Sequence, residues 1–348
     1  MKDSIEIANN VLRRRDAYQA NKQKKESTFR RITTSMTAAF FIISLLLCLS
    51  VGYAFAATLG VIDDFLGFFE ERHGSMLSES QQQYIEQVYA EIGESITCNG
   101  VTVTLQGAIT DGKTYYIFLD IVAPADISLE SLSKHGLGFN RTLKSENPYR
   151  HDISSSSGGC IPVEDHDGKS NTISMILQTT VATPYYSKFS FADGCERTLC
   201  LENLCAYSDE YPYERYIIAE GLWNFKFSFA QAEKNDQPFM EVLSAPVICQ
   251  FSQPSGGPIS VSVNSINLNA LGATLRYSYI GTQVDGGVDF GKIQIVMKDG
   301  SVVNAHPRSA ISGPKSGHVS YVYDAPVLFS EVIYLIVNGQ IVPVAQKP

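Results

Sequence analysis

Six of the seven cysteines of this 348-residue chain, all but Cys48 in an uncharged apolar stretch, and two small His–Asp groups are the residues whose types can do chemistry. Cys98, Cys160, Cys195, Cys200, Cys205 and Cys249 form an even set, which in an exported domain invites disulfides in any of fifteen pairings. Free buried thiols are the other reading, and both stay open. The spacing Cys195-x4-Cys200-x4-Cys205 constrains the first. On one strand, positions five apart face opposite ways and lie about 17 Å apart. A disulfide needs Cα atoms within roughly 7 Å, so neighbours in this trio bond only across a turn. Nor do they match zinc ligands, which come in pairs two to four residues apart. His151-Asp152 and Asp165-His166-Asp167-Gly168 read as solvated turns, because Asp and Gly favour turns for backbone reasons. No H-E-x-x-H, G-x-S-x-G or phosphate-loop pattern is present. The chain is read as non-enzymatic, with no cofactor and no metal. Tyr207, Tyr211, Tyr213 and Tyr216 crowd one acidic stretch and are candidates for an interaction surface; covering a sheet edge is the alternative.

Charge divides the chain sharply. Residues 1–31 carry nine Lys/Arg against four Asp/Glu, a net of +5, and residues 32–57 carry no charge. The remainder holds 18 bases and 32 acids, a net of −14. A bilayer core of roughly 30 Å needs about 20 helical residues, and Ile32–Ala57 exceeds that. Arg30 and Arg31 abut one end, so the positive-inside rule places the N-terminus in the cytoplasm and the acidic body outside. Ala54-Phe55-Ala56 also offers an A-x-A pattern, which leaves signal-peptide cleavage as the competing reading. The acidic body argues against nucleic acid as a partner, since phosphate would be repelled. In the tail, Ile5, Ile7, Ala8, Val11 and Leu12 recur at helical spacing. That stripe suits a cytosolic partner, while the adjoining bases suit the surface of anionic membrane lipid.

The body reads as mainly β. Residues 58–93 are expected to form a short helical stalk or lid, Val61–Arg72 and Ser78–Ile92, the second opening on a Ser78/Gln81 capping box. From residue 94 the period becomes two. Asn99-Gly100 predicts a hairpin turn between Ser95–Cys98 and Val101–Leu105, and Asp111-Gly112-Lys113 the next turn. Trp223, Phe225, Phe227 and Phe229 alternate with Asn224, Lys226 and Ser228, one buried face and one wet face. Residues 94–232 are therefore assigned to an antiparallel β-sandwich, 233–258 to a linker or last strand, and 259–348 to an Ig-like sandwich. In the last, Ile259–Val263, Ala273–Tyr279, Ile293–Met297, Val319–Tyr323 and Val332–Val337 are strand candidates, with turns at Asp299-Gly300 and Asn338-Gly339.

The order of basic tail, apolar helix and stalk carries a family likeness. After it come IGESITCNGVTVTLQGAITDGKTYYIFLDI (Ile92–Ile121) and GLWNFKFSF (Gly221–Phe229). The chain resembles the DUF4179 domain of Gram-positive bacterial membrane proteins, many of them labelled anti-sigma factors of the extracytoplasmic-function type. Its C-terminal part, Ile259 to the Asn338–Pro343 ending, resembles the Ig-like DUF5643 module. The resemblance implies a single-pass signalling regulator in the cell membrane. Its tail, residues 1–31, would hold a sigma factor, and its ectodomain would meet an unknown envelope ligand. A surface adhesion or cell-wall-associated structural protein anchored by the same helix is the alternative.

Overall fold

The computed structural model describes residues 62–133, 136–145, 160–163, 169–180, 190–207, 215–229, 240–241, 246–251, 259–281 and 288–344. The tail with Ile5, Ile7, Ala8, Val11 and Leu12, the 32–57 stretch, Ala54-Phe55-Ala56, both His–Asp groups, Tyr211 and Tyr213 lie outside them. Among the described residues no helix is long and apolar enough to cross a membrane.

In chain order the elements begin with α1 (residues 62–73), α2 (Glu79–Val88), β1 (Ala90–Cys98), β2 (Val101–Thr110), β3 (Thr114–Val122) and α3 (Leu129–Ser133). They continue with β4 (Leu137–Ser145), β5 (Cys160–Val163), β6 (Thr172–Thr180), β7 (Arg197–Tyr207), β8 (Arg215–Phe227), β9 (Met240–Glu241) and β10 (Val247–Phe251). The last are β11 (Ile259–Leu268), β12 (Gly272–Ile280), β13 (Ile293–Met297), β14 (Val302–Ser312), β15 (Ser316–Tyr323), β16 (Val332–Val337) and β17 (Gln340–Pro343). The described part is mainly β, and its strand pairs are antiparallel.

Three sheets result. One runs β1-β2-β3-β6-β5, the second β4-β7-β8, and the third has nine strands along β10-β11-β12-β15-β14-β13-β16-β17 with β9 beside β11. The first hairpin forms as its turn residues require: Asn99 and Gly100 both have positive φ, 47° and 79°, and Cys98 pairs with Val101. The first two sheets face each other as a sandwich. Its core holds Val103, Leu119 and Leu177 from one sheet and Leu199, Trp223 and Phe225 from the other. Trp223 Nε1 donates to the Val101 carbonyl at 3.2 Å, which satisfies the indole inside that core.

β3 explains how a third layer attaches. Its Tyr115, Ile117, Leu119 and Ile121 enter the sandwich core, while Tyr116 and Phe118, on the opposite face, enter a second core. A strand buried on both faces reads as a near-continuous apolar run, as TYYIFLDIV does. The second core also takes Phe65, Phe69 and Ile85 from the helices, and Val261, Leu275, Ile295 and Leu335 from both halves of the nine-stranded sheet. That sheet curls until its ends meet: Asn338 and Gln340 side-chain amides donate to the Gln250 and Ile248 carbonyls of β10.

The helices are thus core elements and not a solvated stalk. Phe65, Phe69 and Ile85 are fully buried, and Phe65 and Phe68 meet Phe118 and Tyr116 edge-on. α2 opens on the expected capping box: Ser78 Oγ accepts from Gln81 N, and Gln81 Oε1 accepts from Ser78 N. It ends at Val88, four residues short of the sequence expectation, because Ile92 already belongs to β1. Gly93 (φ 65°) then sits at a bulge between Glu91 and Glu94.

Candidate functional site

The seam where the helices and the first sheet meet the nine-stranded sheet is the candidate site, and a set of polar bonds fastens its apolar core. Asp111, in the β2–β3 turn, is half-buried. Its Oδ1 accepts from Lys113 N at 2.8 Å and Thr114 N at 2.7 Å, holding the turn. Its Oδ2 reaches across to Leu271 N at 2.7 Å, in the turn before β12. Burial pushes the Asp111 carboxyl above its ordinary pKa, against the pull of those three N–H donors. Gly272 must follow Leu271, since a Cβ there would stand 2.6 Å from the Tyr321 carbonyl and 2.8 Å from Thr114 Oγ1.

The helices add their own fastenings. Gln81 Nε2 donates to the Pro326 carbonyl at 2.7 Å, and Ser80 Oγ donates to Glu331 at 2.8 Å. His73 Nδ1, at the end of α1, lies 3.4 Å from Asp324 Oδ1. Asp324 also accepts from Asn304 N at 3.0 Å and Asn304 Nδ2 at 2.9 Å. Burial works to raise the Asp324 pKa, but the His73 and Asn304 bonds outweigh it and hold the carboxyl below its ordinary value. On the neighbouring strand Arg308 Nη2 donates to Gln178 Oε1 at 3.1 Å, and Gln178 Nε2 donates to Tyr116 Oη at 3.1 Å. Burial lifts the Tyr116 phenol to about 12, with the Arg72 charge pulling the other way. Five of these contacts, Asp111–Leu271, Gln81–Pro326, Ser80–Glu331, His73–Asp324 and Arg308–Gln178, join one layer to another, so the arrangement is suited to holding the layers in register.

Of this seam the sequence reading names only the Asp111 turn and the Ser78/Gln81 cap. Two signals point to the rest. Phe65, Phe68 and Phe69 are spaced to share one helix face, and so large an apolar face must be buried. TYYIFLDIV lacks the alternation of a half-wet strand.

Residues 24–123 match the family model described as "Domain of unknown function (DUF4179)". Within the described residues, the matched segment covers α1, α2 and β1–β3, on one side of the seam, and includes Asp111. No curated protein matches the chain. Among solved structures it is similar to "The crystal structure of the conserved domain protein from Bacillus anthracis", at 14% identity and TM-score 0.44, over 73% of this chain and 78% of that one. It is also similar to TarS of S. aureus, at 8% identity and TM-score 0.18, over 76% of this chain and 47% of that one. At those scores neither likeness bears on fold or activity.

The other residues singled out from sequence are scattered. Tyr207 and Tyr216 are 41% and 43% exposed. Tyr207 pairs with Arg215 and Tyr216 with Ala206, so the two rings sit on opposite faces of the β7–β8 ladder and share no patch. Cys98, Cys160, Cys195, Cys200, Cys205 and Cys249 are all free thiols. Cys205 is buried with Arg215 Nη2 at 2.9 Å, and Cys160 meets Arg141 Nη1 at 3.6 Å. Burial raises the Cys160 pKa, with Arg141 opposing. Cys200 lines a shallow concavity of about 600 Å³ on the outward face of β4-β7-β8, with Asn140, Thr142, Glu202 and Asn224. Among the described residues no three of His, Cys, Asp or Glu gather as metal ligands would.

Proposed function

We propose that the protein is a non-catalytic, single-pass membrane regulator of the anti-sigma kind. The 32–57 stretch lies in membrane lipid, residues 1–31 face the cytosol, and the β-rich body, ending in an Ig-like module over 259–348, faces outward and meets an envelope ligand. The observation that carries this reading is the charge partition: +5 before an uncharged stretch and −14 after it. The DUF4179 match supports it by running from residue 24, before that stretch, to residue 123, beyond it. α1 begins five positions past Ala57 and is part of the body's core. A rearrangement at the seam therefore has a short covalent route to the tail.

The tail is too short for a domain of its own and acts by binding, its apolar stripe holding a sigma factor. The test is co-purification of the full chain with cytosolic proteins, beside a version whose residues 1–31 are scrambled. Recovery of a sigma factor only with the natural tail is the expected result. Equal recovery from both removes the regulator reading and leaves the anchored wall protein.

A further inference from the structure

Two arginines at the seam approach one buried tyrosine, Tyr116, from different layers. Arg72 lies in the last turn of α1, and Arg308 is the extra residue of a β14 bulge, between the pairs Pro307–Tyr321 and Ser309–Ser320. A bulge re-aims its extra side chain out of the ladder. The Arg72 guanidinium lies over the Phe68 ring, Cζ 5.2 Å from the centroid, and Phe68 stands edge-on to Tyr116 at 5.8 Å. Arg308 approaches the same Tyr116 from the other side through Gln178, by the two 3.1 Å bonds already described. The two charges act on each other and both act on the Tyr116 phenol. His306, two positions before Arg308 on β14, feels the charges of Asp324, of both arginines and of Lys292.

Neither guanidinium has a carboxylate partner among the described residues. Arg72 Nη1 is buried with no hydrogen-bond acceptor at all. Asp324, the acid whose charge reaches His306, is engaged by His73 and Asn304. An arginine in a last helical turn can simply complement the helix dipole. That does not account for a guanidinium turned inward beside a second cation, with one N–H facing no acceptor. His306 and Arg308 are exposed, and Arg72 is half-buried, so the cluster has an open side at β14.

We propose that Arg72, Arg308 and His306 form a binding site for a phosphate group. Planar guanidinium forks match the oxygens of a tetrahedral phosphate, and an imidazole supplies a third donor. The acidic body weakens anion approach at long range, so binding is expected to strengthen as ionic strength falls less than for an isolated basic patch. The site is independent of what the tail binds. It would tie α1 to β14, so occupancy would stiffen the seam.

The test uses the full chain in a non-ionic detergent. Thermal unfolding is followed by the fluorescence of Trp223, the one tryptophan of the sequence. Inorganic phosphate should raise the unfolding temperature saturably, beyond potassium chloride at equal ionic strength. Arg308→Gln, at an exposed position, should weaken the effect about tenfold or more, as loss of a charge-assisted bond does. Arg308→Lys should fall between. In vesicles, a rise with phosphatidylglycerol that inorganic phosphate competes away assigns a lipid headgroup as the source. A rise with added phosphate in pure phosphatidylcholine assigns the free ion. No rise beyond chloride, or the same rise in the Arg72→Gln/Arg308→Gln double variant, overturns the site.

Discussion

Asp111→Asn isolates a single bond between layers. The amide keeps one carbonyl oxygen, which in the Oδ1 position still accepts from Lys113 N and Thr114 N. Its NH2 then faces Leu271 N, donor against donor, at a place where the carboxylate had accepted at 2.7 Å. A buried donor left unpaired costs about 1–3 kcal/mol. At roughly 2–4 °C per kcal/mol for a chain of this order, the unfolding temperature should fall by about 2–12 °C. The Leu271 amide should exchange with deuterium about tenfold faster or more. Asp111→Ala, which removes all three acceptors, should be worse. The pH dependence has a definite sign. The folded-state pKa of Asp111 is raised, so its linked stability is present below the ordinary value of 3.8 and lost as pH rises through the folded pKa. The gap between wild type and Asp111→Asn should therefore widen as pH falls from neutral toward that value. Trp223 fluorescence on heating, and deuterium exchange resolved by mass spectrometry, give both readings. An unfolding temperature within about 1 °C of wild type, with unchanged exchange at Leu271, would refute the reasoning.

Asp324→Asn should have the opposite pH signature. The Asp324 pKa is lowered, so its contribution is present above 3.8 and lost as pH falls through its folded value, and the variant should flatten that acid limb. Phe69→Ala should destabilise the body by about 3–5 kcal/mol in denaturant unfolding, because the ring is fully buried between layers. A solvated stalk would show almost no loss. Gly107→Ala places a Cβ 2.4 Å from the Tyr89 ring. It should cost about 1–3 kcal/mol, much of it recovered by also making Tyr89→Ala. Native thiol titration should label Cys98, Cys195 and Cys200 before buried Cys205 and Cys249, and reductant should leave the unfolding temperature unchanged.

What could be read from the sequence was what local chemistry enforces. Asn99-Gly100 and Asn338-Gly339 tolerate positive φ and make hairpins wherever they fall. Asp299 builds its turn alone, accepting from Ser301 N and Ser301 Oγ. The Trp223–Phe227 alternation shows one buried face because β8 packs on one side only. Long-range partners were not legible. β14 escapes a strand reading because Pro307 interrupts it, yet the bulge beside Pro307 absorbs the missing donor and delivers Arg308 to the seam. β5, four residues with Pro162, carries too little pattern of its own. Phe191, an aromatic outside any strand, is held by a bond from its N to the Gly112 carbonyl at 2.8 Å. The layer-to-layer bonds join residues up to 251 positions apart, which no local pattern encodes.

The two-compartment arrangement can be tested with the protein's own thiols. Cys98, Cys195 and Cys200 are each partly exposed on the body. A membrane-impermeant maleimide added to intact cells should label the full-length chain as strongly as it does after lysis, while trypsin under the same conditions spares the Lys/Arg-rich tail. Labelling that appears only after lysis, or a labelled product whose first residue lies near Ala57, would contradict the arrangement.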